Sequence, residues 1–113
     1  MQVKQIEKEN VVICCISQEI NIDTVSDLKK MFKDLIDKNA RKVLLNFKKL
    51  DYIDSSGLAC LIKFSKDLKR IQGIMFLSDL SPKVRSLFAI TKLESAFKLY
   101  DTEEEALKDF YGY

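Results

Sequence analysis

Apolar residues along this chain fall into short unbroken runs and longer stretches with three- and four-residue spacing, and the two kinds alternate. Val3–Glu7 and Val11–Ser17 read as strands, with Lys8-Glu9-Asn10 as the turn between them. The run from Val11 to Ile16 lacks polar alternation, which predicts a strand covered on both faces or central in a parallel sheet. Val25, Leu28, Met31, Phe32, Leu35 and Ile36 then recur at helical spacing from a start near Asp23 or Thr24. A lysine-rich face lies opposite that stripe, and Asp37 to Arg41 ends the helix.

Val43–Phe47 is the third predicted strand, and Lys48 to Ile53 reads as a short loop. Past Asp54-Ser55-Ser56-Gly57, the residues Leu58, Leu61, Ile62, Ser65 and Leu68 share one helical stripe, widened by Phe64 and Ile71. Gly73 is the expected C-cap of that helix, followed by a short strand over Ile74–Leu77. Ser81-Pro82 is a strong helix start, with Val84, Leu87 and Phe88 at helical spacing behind it. Phe97–Tyr100 is the last strand, and Thr102 with Glu105 forms a capping box for a helix whose face is Ala106, Leu107 and Phe110. The tail Tyr111-Gly112-Tyr113 is expected to fray. Parallel strands joined by single helices demand right-handed crossovers. The predicted fold is therefore α/β: a βα superhelix with a mixed, mostly parallel sheet of four to five strands, about four helices and an opening β-hairpin, forming one domain over residues 1–113.

The stretch with the most chemistry is the helix start at Asp54-Ser55-Ser56-Gly57. The first turn of a helix leaves backbone N–H groups unpaired and carries roughly half a positive charge. A phosphoserine dianion suits that field, adding about −1.5 to −2 charges at neutral pH while leaving the fold intact. The plain alternative is that Ser55 or Ser56 only caps the helix.

Leu44-Leu45-Asn46, followed eight residues later by Asp54-Ser55-Ser56-Gly57-Leu58, resembles the STAS family of anti-sigma-factor antagonists. Gln18-Glu19-Ile20-Asn21 falls where that family has a Gly-Glu-Leu-Asp turn, Leu80-Ser81-Pro82-Lys83-Val84 at its post-strand helix start, and Thr102 to Leu107 at its terminal helix. The resemblance implies a binding protein whose unphosphorylated form docks an anti-sigma factor and frees a sigma factor. That partner is a serine kinase of histidine-kinase-like ATPase fold, which phosphorylates Ser56, and a serine phosphatase reverses the modification. The implied contact residues are Asn21, Asp23, Asp54, Ser55, Gly57, Leu58 and Ala59, in a monomer or weak dimer. Leu58 also lies on the apolar stripe of its helix, so core packing is its other reading. Two positions depart from the pattern: Gln18 stands where the family has Gly, and Asn21 where it has an Asp near the phosphorylated serine. The lost acid thins the negative charge of the site, with Asp23 and Asp54 left to supply part of it. It favours a rival reading, a constitutive STAS-type docking subunit of a membrane transport complex or a signalling scaffold.

Composition narrows the function further. The 113 residues are 47% hydrophobic, enough for a core without disulfides or metals. The 19 basic and 17 acidic residues nearly cancel and are spread along the chain, which argues against nucleic-acid binding. No apolar stretch is long enough to span a membrane, and Met1-Gln2-Val3-Lys4-Gln5 lacks a signal peptide's apolar core, so a cytoplasmic protein is expected. Cys14, Cys15 and Cys60 are an odd number, and neighbouring residues on a strand face opposite ways, so they read as buried thiols. With no histidine, no catalytic triad and no zinc ligand set can be assembled, and the three glycines form no phosphate-binding loop. No enzyme, metal or cofactor is predicted.

Overall fold

Glu9 and Asn10 both take left-handed backbone, φ 50° and 70°, and so close a two-residue hairpin between strands β1 (Gln2–Lys8) and β2 (Val11–Ile20). The computed structural model describes residues 1–112. After the hairpin come α1 (Val25–Asp37), β3 (Lys42–Asn46), β4 (Leu50–Ile53), α2 (Ser55–Arg70), β5 (Ile74–Ser78), α3 (Pro82–Ile90), a 3₁₀ turn at Glu94–Ala96, β6 (Lys98–Tyr100) and α4 (Glu103–Tyr111). Among the described residues six strands form one sheet in the order β1-β2-β3-β5-β6, with β4 paired to β2. Only β1 and β2 pair antiparallel; the other pairings are parallel.

The sequence-based strand count of four to five is corrected to six by β4. The ten-residue β2 outruns β3: residues Val11 to Cys15 pair with Lys42 to Asn46, and Gln18 to Ile20 then need a second partner. Leu50–Ile53 supplies it, with a register shift between Gln18 and Glu19. Gln18 sits at that shift with φ 73°, its N–H donating to Lys49 O at 3.0 Å. A left-handed φ of this kind is adopted at least cost by glycine.

Helix ends follow a common device. Ile71 caps α2, Gln72 takes φ 61°, and the N–H groups of Gln72 and Gly73 donate to Lys69 O and Leu68 O, a Schellman closure. Asn39 and Lys92 play the part of Gln72 after α1 and α3, at φ 60° and 59°. Gly73 therefore does not serve as the left-handed cap residue expected of it. It is needed because a Cβ there would lie 2.9 Å from Arg41 O. At the other end of the chain Tyr111 is still helical, with Gly112 as C-cap, while Tyr113 lies outside the described residues.

The core is split by the sheet. Helices α1, α2 and α3 cover one face, where Phe32 and Phe64 stack with ring centroids 3.8 Å apart. On the other face α4 places Ala106, Leu107 and Phe110 over Val11, Ile13, Leu44 and Phe76. That double cover accounts for the unalternating run in β2. Cys14 joins the first cluster and Cys15 borders the second, and all three cysteines are free thiols. Burial, followed by the neighbouring Cys15, pushes the Cys14 thiol up to about 12.

Candidate functional site

The joint between β4 and α2 is fixed from three sides. Asp54, extended at φ −97° and ψ −177°, is the N-cap of α2, and its Oδ1 accepts the Gly57 N–H at 3.0 Å. The cap is thus an aspartate; neither Ser55 nor Ser56 fills that role. Ser55 and Ser56 are the first two helical residues, and the Ser56 hydroxyl donates to the same Asp54 Oδ1 at 2.6 Å. The other carboxylate oxygen, Oδ2, accepts the Ile22 N–H at 3.0 Å, and the Asp54 N–H donates to Ile20 O at 3.0 Å. One carboxylate thereby ties together the start of α2, the Ser56 hydroxyl and the loop from β2 to α1.

That loop is itself pinned. Asn21 Oδ1 accepts the N–H groups of Asp23 and Thr24 at 2.9 and 3.2 Å. Thr24 Oγ1 accepts the Asn21 N–H at 2.9 Å and donates to Glu19 O at 3.1 Å. An amide oxygen performs this turn-forming task as well as a carboxylate does. Asn21 forms this turn without a charge.

Exposure sorts the sequence-predicted residues. Asp23, Ser55 and Ala59 are exposed, and Asn21, Asp54 and Ser56 are half-buried. All stand at the end of the sheet where β2 and β4 terminate. Gly57 and Leu58 are buried: Leu58 packs in the main core, and Gly57 faces Ile20 and Ile53. Those two shape the site from beneath. The residue that sequence reasoning passed over is Ile22, 71% exposed beside Asp23. An isolated isoleucine in a loop gives no periodic signal, and its bond to Asp54 spans 32 positions of the chain.

Electrostatics sets the chemistry. Partial burial raises the Asp54 pKa, but the Ser56 hydroxyl and the N–H groups of Gly57, Ile22 and Ser56 outweigh it and hold the carboxyl below its ordinary value. The hydrogen bond to Asp54 Oδ1 orients the Ser56 hydroxyl. Among the described residues no group of His, Cys, Asp and Glu side chains is placed to hold a metal ion, and no helix is long and apolar enough to cross a membrane.

This fold and this helix start define a member of a known class. The STAS domain family matches residues 2–106, and the chain belongs to it. It is 31% identical over 102 residues to a Bordetella bronchiseptica protein named as an anti-sigma factor antagonist, BtrV, covering 90% of this chain and 88% of the relative. The anti-sigma F factor antagonist of Paenibacillus polymyxa is 28% identical over 111 residues, covering 96% and 94%. Among solved structures, one described as an anti-sigma factor antagonist from Thermotoga maritima superposes with a TM-score of 0.89 at 27% identity, covering 95% of this chain and 92% of the other.

Proposed function

We propose that this protein is an anti-sigma factor antagonist that works as a phosphorylation-controlled binding module in the cytoplasm, not as an enzyme. With Ser56 unmodified it docks an anti-sigma factor, a serine kinase of histidine-kinase-like ATPase fold, and so frees a sigma factor. Phosphorylation of Ser56 by that partner ends the interaction, and a serine phosphatase restores it. The observation that carries this reading is the half-exposed Ser56 hydroxyl in the first turn of α2, oriented by Asp54 and flanked by exposed small residues. The names of the relatives support the class of partner.

The switch is one of charge and desolvation. A partner surface closed over a neutral hydroxyl, Ser55 and Ala59 excludes water from a flat patch. A dianion there must be buried without a cation opposite, and a buried unpaired charge costs on the order of several kcal/mol. Asp54 adds repulsion, since its carboxylate already stands 2.6 Å from the hydroxyl oxygen.

Intact-mass and fragment mass spectrometry of the protein taken from its native cells tests the reading. One phosphate located on Ser56 is the expected result. Its absence under all growth conditions tried favours a constitutive docking subunit instead.

A further inference from the structure

We propose that Ile22 is the apolar anchor of this docking surface, and that Asp54 holds it in place until a phosphate dianion on Ser56 drives the carboxylate away. The proposal builds on the reading above and adds a feature of the partner: an apolar socket that receives Ile22.

Large apolar side chains stand exposed at Ile6, Ile22, Ile90 and Tyr111. Of these, Ile22 is the one whose backbone N–H is bonded to the carboxylate that holds Ser56, and it is 71% exposed. Its loop is fixed on one side by the Asn21 and Thr24 hydrogen bonds and on the other by Asp54. A side chain presented on fixed backbone loses little freedom on docking, which is what a binding anchor requires. The surrounding charge is mixed: exposed Asp23 follows Ile22 and exposed Glu19 precedes it, while exposed Lys83 stands 5.4 Å from the ring of Tyr52, which pairs with Glu19. A surface closed over Ser56 reaches Ile22 in the same contact, so one partner covers both.

The same contacts make the anchor conditional. In the transfer, Ser56 Oγ bonds to the γ-phosphorus of the kinase-bound nucleoside triphosphate. The bond to the β-phosphate oxygen breaks, the diphosphate leaves, and the hydroxyl proton passes to solvent. A dianion then faces the carboxylate. Asp54 turns away, and the Ile22 N–H loses its acceptor.

The test uses the purified serine-kinase anti-sigma factors of the same genome, each titrated with nucleoside diphosphate present so that no phosphate is transferred. Expected are a roughly tenfold or greater loss of affinity for Ile22→Ser at unchanged melting temperature, and near-normal affinity for Ile22→Val. Amide hydrogen exchange at Ile22 should quicken in the protein phosphorylated at Ser56 and in Asp54→Asn. If Ile22→Ser binds like the wild type while Ser56 phosphorylation still blocks binding, the anchor is refuted and the switch stands. Unchanged exchange at Ile22 after phosphorylation refutes the coupling through Asp54. A wild-type protein that binds none of the kinases refutes both the anchor and the function it builds on.

Discussion

Gly57 lies so close to Ile20 that a Cβ on it would come within 2.6 Å of Ile20 Cγ2, with Ile53 Cγ1 equally near. The contact presses the start of α2 against the ends of β2 and β4, and so sets how far Ser56 stands from the β2–α1 loop. Gly57→Ala forces two buried branched side chains to shift, and overpacking of this kind costs about 1–3 kcal/mol. Urea unfolding should show the lower stability, and partner binding should fall with it as the helix start moves outward.

Gln18 offers the opposite lesson. Its φ of 73° is strained for a residue with a Cβ, and its N–H must keep that geometry to reach Lys49 O. Gln18→Gly relieves the strain at some cost in unfolded-state entropy, for a net gain of about 0.5–1 kcal/mol. A higher melting temperature with unchanged binding is the expected outcome; a lower one would mean that Gln18 makes contacts which outweigh the strain.

Acid should act through Asp54. Its pKa is depressed in the folded protein, so its contribution is complete above the unfolded value, about 3.9, and is lost as pH falls through the folded one. At neutral pH the wild type should be more stable than Asp54→Asn, whose amide has only one oxygen to serve Ile22, Ser56 and Gly57. Urea unfolding of both proteins from pH 7 down to acid should show that gap narrowing below the ordinary carboxylate pKa. A gap that stays constant would mean that the hydrogen bonds to Asp54 are insensitive to its charge.

The parts of the fold legible in the sequence were those with long or strongly marked local signals. The stripe from Val25 to Ile36, the buried run of β2 and the Ser81-Pro82 helix start all lie where they were expected. The missed strand β4 is four residues long, with Asp51 exposed in its middle and Lys48-Lys49 before it, too short and too polar for a period to emerge. It is a strand because β2 continues past β3 and its edge groups need partners. Gln72 takes the left-handed position after α2, one residue before the glycine, and residue 73 is glycine because Arg41, distant in sequence, occupies the space a Cβ would need.

The site divides the same way. The Asp-Ser-Ser-Gly motif pointed to Ser56 and its neighbours, and the structure gathers Asn21, Asp23, Asp54, Ser55, Ser56 and Ala59 at one end of the sheet. What the motif could not reveal was the division of labour. Asp54 caps and bridges, Gly57 and Leu58 pack inward, and Ile22 faces out. Each of these depends on contacts between segments that no local pattern encodes.

The central claim is that a neutral Ser56 is required for docking. Its most direct measurement is calorimetric titration of the purified serine-kinase anti-sigma factor with three forms of this protein: wild type, Ser56→Ala, and protein phosphorylated at Ser56. The first two should bind with similar affinity, and the phosphorylated form about a hundredfold more weakly or not at all. Equal binding by the phosphorylated form would contradict the claim.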